Sequence, residues 1–155
     1  MDRSVNLQVP INISLANELR AMVTSVLFRY SEEIKEAASM VASELVENAI
    51  KYGERLTQTT SPSFSMSCHK NDISIEVKSV TSSMKDIEKL KFSIDMISNT
   101  EDIEALYVKR LCALMENRPP VGRLGLYRIC FEGRFQLSAE YTGKVLSVKA
   151  TRGIQ

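Results

Sequence analysis

Two short apolar alternations on either side of one polar turn constrain this chain more than any other feature. Phe64, Met66 and Cys68 alternate with serines, Asn71-Asp72 follows as a turn, and Ile73, Ile75 and Val77 then alternate with Ser74, Glu76 and Lys78. A period of two puts one apolar row on one face of a hairpin and a polar row on the other. The pair therefore needs cover on a single side, and that cover has to come from helices elsewhere in the chain.

The helical pattern is strongest before the hairpin. Leu7 to Ile13 alternates weakly around Pro10 and suits an edge strand or extended arm. Leu15, Leu19, Met22, Val23, Val26, Leu27 and Tyr30 then recur at helical spacing, with Ser14 as N-cap, and predict about four turns. Ser31 offers a second N-cap followed by Glu32 and Glu33, acids that suit the positive end of a helix. Ile34, Ala38, Val41, Ala42, Leu45 and Ala49 share one face of this second helix, and Gly53 stands where a left-handed cap would end it near Tyr52. Thr57 to Ser63 reads as a polar linker.

After the hairpin, Ser83 to Asn117 carries two helical runs, Ile87, Leu90, Ile94 and Ile97, then Ile103, Leu106, Leu111 and Leu114. Asn99-Thr100 marks the break, Thr100 caps the second run, and Arg118-Pro-Pro stops it. Leu124 to Cys130 reads as a short helix, and Phe135 to Tyr141 with Lys144 to Ala150 form a terminal hairpin around Thr142-Gly143. This order, helices mixed with hairpins, predicts an α+β fold: a two-layer sandwich of a mixed or antiparallel sheet with helices on one face. At 155 residues, one domain spanning 1–155 is expected.

Composition removes several functional classes. An apolar fraction of 44% and a charged fraction of 25% fit a folded globular chain. Twenty basic residues against 19 acidic ones give a net charge of +1 with no basic run, which argues against nucleic acid or an anionic membrane as partner. The first residues are too polar for a signal peptide, and no segment reaches the roughly 20 apolar residues that span a bilayer. A cytoplasmic location is expected. Cys68, Cys112 and Cys130 are odd in number and far apart, as reduced thiols would be. Cys68 stands beside His69, the single histidine, but no second ligand pair follows that would complete a zinc site, and no orienting group marks a nucleophilic dyad.

In the second helix Glu44, Asn48 and Lys51 fall at i, i+4 and i+7 and form one polar strip. A carboxylate can accept a proton from an attacking hydroxyl, an amide oxygen can ligate Mg²⁺, and an ammonium can reach a phosphate. For an isolated triplet, a solvated helix face is the simpler explanation.

The surrounding residues favour the chemical reading. ELVENAIKYG, within Ala38 to Glu54, resembles the N box of the histidine-kinase-like (GHKL) ATPase family, E-L-x-x-N-A-x-K followed by Tyr or His. VGRLGLY, Val121 to Tyr127, resembles the second glycine box, with Gly122 and Gly125 present and Arg123 where the central glycine is usual. Such glycines let backbone N–H groups approach phosphates at a helix start. Arg123 reads two ways, as a surface residue filling the phosphate site or as a guanidinium that binds phosphate. The first glycine box departs: Lys78-Ser-Val-Thr-Ser-Ser replaces the Asp that accepts a hydrogen bond from the adenine amino group, and Ser79 substitutes only in part. Losing such a bond costs about 1.5–3 kcal/mol.

The resemblance implies a Bergerat-type ATPase fold with a helical insertion at about 83–117 in place of the ATP lid, as in the divergent SiaB-like branch of the family. It implies ATP and Mg²⁺ as cofactors and a role like that of anti-sigma-factor serine/threonine kinases. Glu44 would be the catalytic base, Asn48 the metal ligand and Lys51 a phosphate contact, with Ser79, Gly122, Arg123 and Gly125 also facing nucleotide. The implied partner is a small regulatory protein, STAS-like or another switch protein, and a homodimer is compatible with the family. Autophosphorylation of the histidine-kinase type is not expected of this chain alone, because His69 lies outside any such helix. The rival reading is a degenerate ATPase fold acting as a non-catalytic adaptor, which the missing Asp and Arg123 favour. A metal-dependent hydrolase built on Glu44 ranks third, for want of a ligand cluster.

Overall fold

The computed structural model describes residues 5–11, 13–52, 62–69, 71–116 and 124–154, with backbone only at 5–9, 13, 16, 51 and 52. Its elements run β1 (Val5–Pro10), α1 (Ile13–Val26), α2 (Glu32–Tyr52), β2 (Ser63–His69), β3 (Asp72–Val80), α3 (Met84–Asn99), α4 (Ile103–Met115), α5 (Leu124–Phe131), β4 (Gln136–Thr142) and β5 (Val145–Gly153). The strands make one five-stranded sheet in the order β1-β2-β3-β5-β4, antiparallel at every pairing. The expected α+β sandwich is therefore present, with an antiparallel sheet.

Register follows the apolar alternation. Phe64 pairs with Val77, Met66 with Ile75 and Cys68 with Ile73, and Ile75 continues across to Ala150 and Leu137. These side chains are buried, and the next row over reads Ser65, Glu76, Lys149 and Ser138. A one-residue slip in any strand would expose the first row and bury the second, so burial alone holds the register. The β4–β5 turn has positive φ at both central residues, Gly143 at 59° and Lys144 at 69°, the hand that matches the twist of a two-residue hairpin.

The helices lie on the apolar face. α2 packs on β3, α1 and α5, and its inward residues Ala38, Val41, Ala42, Leu45, Val46 and Ala49 are buried. Three of these are alanines, which let the helix axis approach the sheet. Ser31 caps it, its Oγ accepting the Ile34 N–H at 3.3 Å, and Arg20 of α1 pairs with Glu36. α3 buries Ile87, Leu90, Ile94 and Ile97, as its spacing requires. α4 differs: none of its residues is buried, and it rests on α5 through Tyr107 against Phe131, whose rings lie 5.2 Å apart.

Several boundaries differ from the sequence reading. α1 begins at Ile13, so Ser14 is inside the helix and is not its cap, and it ends at Val26, with Leu27 to Tyr30 in a turn. α4 is capped by Asp102, whose Oδ1 accepts the Ala105 N–H at 3.0 Å. Thr100 instead closes α3 and accepts the Asp102 N–H at 3.2 Å. The carboxylate is the stronger acceptor for a helix start. Gly53, Thr57 to Ser61 and Arg118-Pro-Pro lie outside the described residues.

Candidate functional site

The site is assembled where the first turn of α5 meets the middle of α2. Glu44 and Asn48 stand one turn apart on α2, and both approach Gly125. A Cβ at position 125 would overlap Glu44 Oε2 and stand 3.8 Å from Asn48 Nδ2. A side chain at position 125 would displace the carboxylate, which is the far end of a flexible side chain. Lys51 is on the same helix, but its side chain lies outside the described residues, as do Gly122 and Arg123.

Glu44 is held by a residue that no local sequence pattern singles out. Arg128 of α5 donates from Nη1 to Glu44 Oε1 at 2.7 Å and from Nε to Glu132 Oε2 at 2.8 Å. Tyr107 of α4 donates its hydroxyl to Glu132 Oε1 at 3.2 Å. A relay therefore runs from α4 through Glu132 and Arg128 to Glu44. Burial raises the Glu44 carboxyl above the usual carboxylate range; Arg128 opposes that, and Glu47 and Glu132 add to it. Desolvation outweighs the ion pair, as happens when a carboxylate is only partly compensated. Arg128 is pushed up as well, its charged form favoured chiefly by the Glu132 hydrogen bond.

Asn48 presents a different feature. Its Nδ2 is buried without a hydrogen-bond partner among the described residues. Leaving a buried amide unpaired costs about 1–3 kcal/mol, a penalty that a ligand or a water in the adjoining cavity would remove. A side-chain amide can turn over, and Asn48 then offers an oxygen in the same place.

Beside Asn48 is a narrow cavity of about 30 Å³ between sheet and helices. Ser79, Val77 and Val148 form its floor, Asn48 and Ala49 one wall, and Asp86, Ile87 and Leu90 of α3 its roof. The volume suffices for a water or two, since one water needs about 10–15 Å³. Ser79 is buried here, one strand position from the polar face. Asp86 brings a carboxylate to the cavity although no Asp follows β3 directly. It arrives with α3, at whose start Ser83 Oγ accepts the Asp86 N–H at 3.3 Å. The Ser-x-x-Asp spacing marks that helix start in the sequence but does not reveal which cavity it faces.

The other sequence candidates separate. Cys68 is buried and His69 exposed, as neighbours on a strand must be, so they share no site. The described cysteines are all free thiols, and no three His, Cys, Asp or Glu side chains come together as metal ligands among the described residues. Among the same residues, no helix is long and apolar enough to cross a membrane.

Comparison with solved structures finds the same fold in a chain of the crystal structure of the SiaB–SiaC complex from Pseudomonas aeruginosa. The match has a TM-score of 0.71 and covers 97% of this chain and 89% of that one, at 16% identity. No protein-family model matches the sequence, and no curated protein does.

Proposed function

We propose that this chain is a cytoplasmic regulatory protein of the histidine-kinase-like ATPase kind, which binds Mg–ATP at α2 and phosphorylates a Ser or Thr of a partner protein. The observation that carries the reading is Asn48: its Nδ2 is buried with no partner among the described residues, one helical turn from a half-buried carboxylate and beside Gly125 in the first turn of α5. An unpaired group of this kind is accounted for if a ligand satisfies it. The fold shared with a chain of a two-protein complex fits a partner-binding regulator.

Bound Mg–ATP would supply the phosphoryl group and the cation that neutralises its charge. Asn48 would offer its oxygen to Mg²⁺, which needs few protein ligands when phosphate oxygens and water complete its shell. Glu44 would accept the hydroxyl proton of the incoming Ser or Thr, and its raised pKa makes it a better base near neutral pH. Gly125 would admit the phosphates at the α5 start, with Lys51, Gly122 and Arg123 as further phosphate contacts. Ser79 and Asp86 would face the base. Asn48 and Gly125 fit the metal and phosphate end. The base end does not yet have room, because ligand sites usually occupy at least about 300 Å³ and this cavity is about 30 Å³. Nucleotide entry therefore requires Ile87 and Leu90 to withdraw with α3.

The small volume of this cavity favours a second reading, a non-catalytic adaptor that keeps the fold and binds its partner through the helical insertion. Titration with a fluorescent ATP analogue, with and without Mg²⁺, decides between them. Saturable Mg²⁺-dependent binding that is lost in Asn48→Ala is expected for the first reading. Absence of binding at millimolar nucleotide would leave the adaptor.

A further inference from the structure

We infer that Arg128 is the positioning residue of this site, fixing the Glu44 carboxylate through Nη1 while Glu132 and Tyr107 fix Arg128 from the side of α4. The inference rests on the reading of Glu44 as a base, and it assigns a task to three residues outside the N box and glycine boxes.

The geometry favours orientation over simple charge pairing. Glu44 Oε2 faces Gly125 and Oε1 receives Arg128 Nη1, so the two carboxylate oxygens have different neighbours and the group has one preferred rotation. Arg128 is itself committed at two edges, Nε to Glu132 and Nη1 to Glu44. A planar guanidinium tied at two donors cannot swing, which a lysine at the same place could. Glu132 in turn spends Oε2 on Arg128 and Oε1 on the Tyr107 hydroxyl. Each member thus fixes the next, and the last is on α4, the helix with no buried residue.

That placement gives α4 a reason to be anchored by polar contacts. Arg110, one turn after Tyr107, donates from Nε to the hydroxyl of buried Tyr127 at 3.2 Å and stacks over its ring at 5.3 Å. α4 is therefore docked on α5 by two tyrosine contacts, one of which ends at Glu44. Among the described residues, the charged and titratable groups around Glu44 are Arg128 of α5, Glu47 of α2, Glu132 after α5 and Tyr107 of α4. Arg128 is the cation among these described groups.

The test reads Glu44 directly, without nucleotide. Protein carrying ¹³C in its glutamate carboxyl carbons is titrated by NMR, with Glu44→Gln identifying the resonance. In Arg128→Gln the Glu44 midpoint should rise by about one pH unit, because an opposite charge at this distance favours the ionised form by that much or more. Arg128→Lys should recover part of the change, and Glu132→Gln, which frees Arg128 but keeps its charge, should broaden the Glu44 resonance with a smaller change in midpoint. An unchanged midpoint in Arg128→Gln with a native amide spectrum overturns the inference. Should that variant not fold, an unaltered Glu44 resonance in both Arg128→Lys and Glu132→Gln overturns it equally. If the midpoint moves while no ATP analogue binds, the relay stands and the kinase reading fails; if analogue binds while the midpoint stays, the reverse holds.

Discussion

Gly125 and Glu44 are packed so closely that a Cβ on the glycine would overlap the Oε2 atom of the glutamate. The obstacle is the far end of a flexible side chain, so the carboxylate can move aside at small cost. Alanine also gains about 0.8–1 kcal/mol of helix propensity over glycine. Gly125→Ala should therefore leave stability within about 1 kcal/mol of wild type in a urea melt but break the Glu44–Arg128 pair. An unaltered Glu44 carboxyl resonance in this variant would show that the packing is looser than described.

Glu44 should trade stability for its role. Its folded pKa is raised above the unfolded one, so its protonated form stabilises the fold below the usual carboxylate pKa. That contribution is lost as pH rises through the folded value. Glu44→Gln keeps the neutral form at every pH. The variant should melt higher than wild type at pH 7 to 8, and the difference should vanish near pH 4. A lower melting point for Glu44→Gln at neutral pH would mean that the Arg128 pair outweighs burial.

Leu90 roofs the cavity beside Asn48 and is buried in the core. Leu90→Ala should cost about 2–5 kcal/mol, the usual range for opening a core cavity. It should also enlarge the space under α3 and tighten binding of an ATP analogue relative to wild type, measured at a temperature where both are folded. Weaker analogue binding in folded Leu90→Ala would place the nucleotide elsewhere.

The three thiols should react in a fixed order. Cys112 is exposed on α4, Cys68 is buried in β2, and burial pushes the Cys130 thiol up to about 11. Only the thiolate attacks an alkylating reagent. At pH 8, mass spectrometry after brief iodoacetamide treatment should find Cys112 modified first, with Cys68 and Cys130 protected until the protein unfolds. Early modification of Cys130 would contradict the packing of α5.

Much of the fold was legible because each strand carries its own alternation and each main helix its own stripe. Ile73, Ile75 and Val77 needed no distant information to be placed inward. Caps were less so: Thr100 and Asp102 are both capping residues two positions apart, and the choice depends on the angle at which α3 gives way to α4. In the site, Glu44 and Asn48 were visible because a helix fixes i and i+4 on one side. Arg128 was not, since it meets Glu44 across 84 residues of chain, and no local pattern encodes that encounter. Asp86 is not legible as a cavity residue, because it reaches the cavity on the helix after β3 and not at the strand's own end. Lys51, Gly122 and Arg123 rest on motif position; the Lys51 side chain and residues 122 and 123 lie outside the described residues.

The most direct test of a Mg–ATP site on α2 places the metal itself. In ¹⁵N-labelled protein, Mn²⁺ bound with a non-hydrolysable ATP analogue broadens nearby resonances, while Mg²⁺ with the same analogue serves as the diamagnetic reference. A Mg–ATP site on α2 should give selective loss of the Asn48 side-chain NH₂ and Gly125 amide signals, reversed by excess Mg²⁺ and absent with Mn²⁺ alone. Signals at Asn48 and Gly125 that stay sharp under saturating Mn²⁺ and analogue would contradict it.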